Sequence, residues 1–134
     1  MNTPESPANV VKLLYDCIES YEQLEILLLL RTESPAWRSS IGIASQLNLT
    51  AELVAEALTA LEPRGLIKTE GEPPRWAYAP DTPEIAATVE RLASSYKLNR
   101  FEIVRLMSGN AIKRMRTQAL HAFADAFVIR KDKG

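Results

Sequence analysis

The segment from Ile41 to Ala79 constrains the fold more than any other part of the chain, because turn residues divide its apolar pattern into short units of fixed order. The apolar spacing over 39–47 predicts a short helix, and Thr50 can cap a second helix over 51–62. Pro63-Arg64-Gly65 ends that second helix, since proline cannot continue it and glycine accepts a left-handed turn. The segment therefore predicts two helices joined by a tight turn.

A β-hairpin is predicted directly after these helices. Two short runs at 66–69 and 76–78 flank Glu70-Gly71-Glu72-Pro73-Pro74, which is typical of a turn. Helix, turn, helix and hairpin over 21–79 resemble the winged-helix domains of bacterial transcription regulators such as the MarR and ArsR families. The resemblance implies a mostly α-helical winged helix-turn-helix with a short β-hairpin wing, and a cytoplasmic protein that binds duplex DNA.

Helices are also predicted before and after this segment. One covers 10–18, and a capping box at Ser20 starts a second over 21–32 that is apolar nearly all round, as in a buried helix. Thr82 and Pro83 begin a long helix over 83–107. A break at Ser108-Gly109-Asn110 then precedes a final helix over 111–127. The predicted organisation is a flexible terminus at 1–8, a winged-helix domain at 9–80, a helical extension at 81–128 and a basic tail at 129–134.

The long helix carries apolar residues at coiled-coil spacing. The steps alternate between four and three residues along the series Ile85, Val89, Leu92, Tyr96, Asn99, Ile103 and Leu106. This pattern predicts a homodimer through the helix, with an interface at Leu92, Tyr96, Asn99, Ile103 and Leu106. An ordinary amphipathic helix lying on its own domain is the alternative interpretation.

The helix that would enter the major groove is acidic. The helical pattern of 51–62 predicts that one face turns to the core, namely Leu53, Val54, Ala57, Leu58 and Leu61. The outward face then contains Glu52, Ala55, Glu56, Thr59 and Glu62. Three carboxylates oppose the release of counterions that supplies most DNA affinity, although a glutamate can accept a hydrogen bond from cytosine. The alternative function is therefore a protein-interaction module whose helix 51–62 docks a basic partner without binding DNA. Ligand sensing is a further alternative that no residue specifies.

Any DNA affinity must then come from other side chains. The candidate nucleic-acid-binding residues are Arg38, Thr50, Thr59, Arg64, Lys68, Arg75, Lys113 and Arg114. A solvated surface charge is the alternative interpretation for each cation. The charge distribution favours the C-terminal part, because residues 1–96 carry 7 Lys/Arg and 14 Asp/Glu whereas residues 97–134 carry 9 and 3.

Nothing in the sequence indicates an enzyme, a cofactor or a metal site. The single cysteine, Cys17, and the single histidine, His121, cannot build a structural zinc site from the usual ligands, and no catalytic or phosphate-binding motif occurs. The longest apolar run, Ile26 to Leu30, is far shorter than the ~20 residues that a membrane helix needs. The start of the chain lacks the features of a signal peptide, so we expect a cytoplasmic protein.

Overall fold

Six α-helices, a short 3-10 helix at Glu62–Arg64 and three short strands make up the described part of the chain. The computed structural model describes the backbone of residues 8–133 and the side chains as far as residue 124. Their bounds are α1 Ala8–Cys17, α2 Tyr21–Glu33, β1 Arg38–Ser39, α3 Ser40–Leu47, α4 Ala51–Leu61, β2 Ile67–Glu70, β3 Arg75–Tyr78, α5 Pro83–Leu98 and α6 Arg100–Lys133. Most of the predicted flexible terminus lies outside the described residues.

The middle of the chain forms a winged helix-turn-helix, which confirms the predicted fold class. Helices α3 and α4 are joined by a turn in which Asn48 has a left-handed backbone, with φ of 58°. Strands β2 and β3 form the hairpin, and β1 pairs with the other side of β3, so the antiparallel sheet has the order β1-β3-β2. Strand β1 was not predicted, because a run of two residues, Arg38 and Ser39, is too short to show a strand pattern and is recognised only by its pairing with β3.

Hydroxyl caps fix where three helices begin, at the residues that the sequence predicts. The side-chain oxygen of Ser20 accepts a hydrogen bond from the backbone N–H of Gln23 at 3.1 Å. Thr50 does the same for α4 and Thr82 for α5, at 3.2 and 3.1 Å. Each cap satisfies a backbone donor that the first helical turn leaves without a partner. These local hydrogen bonds therefore determine the first residues of α2, α4 and α5.

Helix α2 lies at the centre of the core and is buried on more than one side, as predicted. Its buried side chains are Leu24, Ile26, Leu27 and Leu30, all with 0% exposure. The helix packs against α3, α4 and β3. The same apolar cluster continues through α1, α5 and α6, and includes Val10, Leu14, Val89, Leu92 and Ile103. The C-terminal helices therefore share one core with the winged helix.

The prediction of one helix over 83–107 was wrong. The helical path stops at Asn99, whose φ of −150° and ψ of 70° separate α5 from α6. The side-chain oxygen of Asn99 accepts a hydrogen bond from the N–H of Glu102 at 3.2 Å. Asparagine competes with the helix backbone in this way, so it is favoured at a helix start and disfavoured in a helix interior. Asn99, the asparagine in the series of residues at coiled-coil spacing, therefore separates two helices, and we call this position the elbow between α5 and α6.

The predicted break at Ser108-Gly109-Asn110 was also wrong. Helix α6 continues through these residues to Lys133, and its 34 residues correspond to a length of about 51 Å. An exposed glycine inside a helix costs only about 1 kcal/mol relative to alanine, so it does not end a helix that has long helical stretches on both sides. The predicted final helix and basic tail are consequently parts of α6, although the tail's side chains lie outside the described residues.

Candidate nucleic-acid interface

The outward face of α4 is acidic and has small residues between its carboxylates. Burial of Val54, Ala57, Leu58 and Leu61 orients the helix, with exposures between 0 and 4%. The side chains of Glu52, Ala55, Glu56 and Thr59 are exposed on the other side, and Glu62 is half-buried. Helix α4 contains no lysine or arginine, and none of the ion pairs between described residues involves these three glutamates. The face is therefore an uncompensated patch of negative charge.

Two candidate hydroxyls on or beside α4 are already hydrogen-bonded. The hydroxyl of Thr59 donates to the carbonyl of Ala55 at 2.8 Å, which uses its single proton and leaves it an acceptor only. Thr50 accepts from Leu53 as the helix cap and keeps its proton for an outside acceptor. Of the two, only Thr50 can donate to a phosphate oxygen without losing an existing bond.

The prediction that Leu53 turns to the core was wrong, because its side chain is 41% exposed. It lies in the first turn of α4, where the buried stripe begins only at Val54. Ile41 in the first turn of α3 is 72% exposed. The helix-turn-helix surface thus carries apolar as well as acidic side chains.

Arg38 is held by an acidic residue of its own chain. Its guanidinium donates to the carboxylate of Glu33 at the end of α2, and both side chains are 26% exposed. The other oxygen of that carboxylate accepts a hydrogen bond from the Gln46 side chain at 3.2 Å. Arg38 therefore joins α2, β1 and α3, and a phosphate would have to compete with Glu33 for it.

Arg64 has a similar role on the other side of the motif. Its guanidinium donates to the carbonyl of Cys17 at 2.7 Å and lies 3.4 Å from the amide oxygen of Gln23. It also pairs with the carboxylate of Glu19. These bonds connect the end of α4 to the turn between α1 and α2. Arg64 therefore stabilises the packing of these elements against one another.

Arg114 and Lys113 lie against α1. The guanidinium of Arg114 donates to the carbonyls of Leu14 at 3.1 Å, Ile18 at 3.4 Å and Tyr15, which are acceptors at the end of α1. It also stacks on the Tyr15 ring at 5.1 Å from the centroid, and the Lys113 ammonium lies 5.2 Å from the same centroid. A cation near a helix C-terminus is stabilised by the last carbonyls, so the fold gives Arg114 partners on α1 that its position on α6 alone does not indicate.

Among the candidate DNA-binding cations, the two on the wing are the least engaged with their own chain. Lys68 and Arg75 are exposed, and neither has an ion pair or a side-chain hydrogen bond within the described residues. In the hairpin, Arg75 is the antiparallel partner of Glu70, and Glu70 and Glu72 are also exposed. The wing thus offers two cations for phosphate contacts beside two carboxylates that weaken them.

The predicted dimer seam is mostly used inside the chain. Leu92 and Ile103 are fully buried in the chain's own core, Tyr96 and Leu106 are half-buried, and Asn99 caps α6. Leu92 and Ile103 therefore offer no surface to a second copy. This outcome matches the alternative interpretation, in which the amphipathic face of the helix lies on its own domain.

Another apolar surface is exposed further along α6. Beyond Met107, which is 9% exposed, the side chains of Ile112, Met115 and Leu120 are 53%, 68% and 68% exposed. Soluble proteins seldom leave several large apolar side chains uncovered along one helix. These three side chains lie in the segment that the sequence predicted as a separate final helix over 111–127.

The described residues contain no group of three or more His, Cys, Asp or Glu that could hold a metal ion. Among the described helices, none has both the length and the apolar character needed to cross a membrane.

Comparison with known proteins supports the fold. No family model matches the chain, and no curated protein matches it. A solved structure of a mutant form of ZitR from Lactococcus lactis is similar, with a TM-score of 0.50 and 19% sequence identity. The similarity covers 95% of this chain and 82% of the ZitR chain. It therefore extends beyond the winged helix to the helices on either side.

Proposed function

We propose that the chain is a DNA-binding transcriptional regulator of the winged-helix type, which acts as a homodimer in the bacterial cytoplasm. The observation that supports this function best is the winged helix-turn-helix itself, in which the outward face of α4 is exposed and Lys68 and Arg75 are uncovered on the wing. In this fold the second helix of the motif enters the major groove while the wing contacts the backbone. The fold similarity over most of the chain supports the same function.

The charges of this surface predict weak, strongly salt-dependent binding. Glu52 and Glu56 repel phosphates. We therefore expect α4 to enter the major groove only at sites where a glutamate carboxylate accepts a hydrogen bond from the amino group of a cytosine. The wing supplies two cations per chain, or four per dimer. Because each neutralised phosphate contributes about −0.9 to the slope of log K against log salt, a dimer using all four gives a slope of about −3.6.

The dimer surface that we propose is the far part of α6. Its exposed side chains Ile112, Met115 and Leu120 are large, apolar and separated by about one to two turns. Covering them in a symmetric pair of helices removes each side chain from water in both copies. This places the interface beyond the seam around Leu92 and Ile103, which the chain buries itself.

The test is the affinity of the purified protein for random duplex DNA at several salt concentrations. We expect binding at low salt with a slope of about −3.6, and about half of that slope after Lys68→Ala or Arg75→Ala alone. Arg91→Ala is a suitable control, because Arg91 is an exposed cation on α5 rather than on the motif. Absence of binding at low salt would remove DNA as the partner and favour the protein-interaction module with its acidic helix 51–62.

A further inference from the structure

A series of four polar side chains joins the elbow between α5 and α6 to the first turns of α2. The guanidinium of Arg100, the first residue of α6, donates to the hydroxyl of Tyr21. The hydroxyl oxygens of Tyr21 and Tyr96 are 3.0 Å apart, and that of Tyr96 is also 3.0 Å from a carboxylate oxygen of Glu25. Arg100 lies over both aromatic rings, 5.5 Å from each centroid. Three helices therefore meet in one hydrogen-bonded group.

One arrangement of protons satisfies every member of this group. Each hydroxyl has a single proton, so Tyr21 can accept from Arg100 and donate to Tyr96, which then donates to Glu25. The series begins at a cation and ends at an anion, and hydrogen bonds in such a series strengthen one another. Burial, together with the hydrogen bonds to Tyr21 and Glu25, raises the pKa of Tyr96 above its ordinary value. Its hydroxyl therefore keeps the proton that it donates throughout the physiological pH range.

The position of the group at the elbow gives it a mechanical role. Asn99 is the one residue between α5 and α6, so the direction of the 34-residue α6 depends on what restrains the chain there. Packing on the outer side is slight, because Leu98 and Phe101 are 82% and 79% exposed. Ile103 and Met107 anchor the inner side of α6 to the core. The four polar side chains supply the restraint directly at the joint.

We propose that Arg100, Tyr21, Tyr96 and Glu25 form an elbow lock that fixes the direction in which α6 leaves the winged helix. Glu25 and Tyr21 belong to α2, which packs against α4, while α6 carries the apolar side chains of the proposed dimer surface. The lock therefore sets where the α4 of one copy lies relative to the α4 of the other. This consequence for DNA rests on the proposed function, whereas the lock itself does not.

The test of the lock is Tyr96→Phe, which keeps the ring and removes the hydroxyl. Tyr78→Phe is a matched control, because the Tyr78 hydroxyl is buried without a hydrogen-bond partner. Hydrogen–deuterium exchange of the intact protein is followed by mass spectrometry. We expect exchange in peptides covering 97–106 and 20–26 to be about tenfold faster in Tyr96→Phe, with α3, α4 and the hairpin unchanged. Tyr78→Phe is expected to match the wild type.

Two results would overturn the lock. One is wild-type exchange at the elbow in Tyr96→Phe, and the other is faster exchange in every peptide, which indicates a general loss of stability. The consequence for DNA is measured separately, as the DNA affinity and the dimer Kd of each variant. We expect Tyr96→Phe to bind DNA more weakly than the wild type and to dimerise as strongly. Unchanged DNA affinity together with a loosened elbow would contradict that consequence. If the wild type binds no DNA, the proposed function fails while the exchange experiment still decides whether the lock exists.

Discussion

Replacing Leu120 with glutamate tests the proposed dimer surface with a magnitude that can be worked out from the structure. Leucine and glutamate have similar helix propensities, so we expect α6 to remain helical. Leu120 is 68% exposed in the single chain, and full burial of a leucine stabilises by about 1.5–3 kcal/mol. Covering that exposed part in both copies therefore contributes about 2–4 kcal/mol. Its loss raises the dimer Kd by about 30- to 700-fold, before any penalty for burying the carboxylate.

Sedimentation equilibrium measures this change directly. The wild type is expected at about twice the chain mass of 14.9 kDa at micromolar concentration, and Leu120→Glu at the mass of one chain. Leu98→Glu is the control, because Leu98 is 82% exposed but lies at the elbow, outside the proposed surface. We expect this control to remain dimeric. A monomeric wild type, or equal dimerisation of Leu120→Glu and the wild type, would refute the assignment of the interface to the far part of α6.

Two further predictions concern residues at the end of α4, and a third substitution in α6 serves as the comparison for the second. Arg64→Ala is expected to lower the free energy of unfolding by about 1–3 kcal/mol in a denaturant titration, because it leaves the Cys17 carbonyl and Glu19 without their partner, and to leave the salt slope of DNA binding unchanged. A changed slope with full stability would contradict the structural role of Arg64. Gly65→Ala is expected to destabilise by about 1–3 kcal/mol, since Gly65 has φ of +79° and a Cβ there would lie 2.5 Å from an oxygen of Asp81. Gly109→Ala lies in a helix, where the added Cβ meets no atom within 4 Å apart from its chain neighbours and the backbone of its own helix, and it is expected to stabilise by up to about 1 kcal/mol. Equal effects of the two alanines would refute the reasoning.

The winged helix was predictable because its signals are local. The caps at Ser20, Thr50 and Thr82 each act within three residues of chain, and Gly65 stands where the backbone turns left-handed. Such signals depend on backbone geometry that neighbouring residues impose on one another. The wrongly predicted helix break at Gly109 shows the limit of such signals. Glycine there lies inside an exposed helix, where the backbone makes no turn.

The roles of the cations could not be predicted from the sequence, because their partners are distant. Arg64 lies 47 residues from the Cys17 carbonyl that it binds, and Arg114 lies 100 residues from the Leu14 carbonyl. A pattern on one helix gives the direction of a side chain but not what the fold brings against it. The sequence therefore identified three arginines as candidates for DNA that the structure places in contacts within the chain, whereas Lys68 and Arg75 on the wing remain candidates.

The contact between α1 and the last helix has a consequence for how the chain is made. A nascent chain emerges from its N-terminus at about 5–20 residues per second, so α1 precedes the Arg114 that binds its carbonyls by about 5–20 s. Val89, Leu92 and Ile103, which share the core with Val10 and Leu14, also arrive late. During this interval the winged helix can close around α2, while the apolar side of α1 faces water or a chaperone. Completion of the core therefore waits until α5 and the first half of α6 have been synthesised.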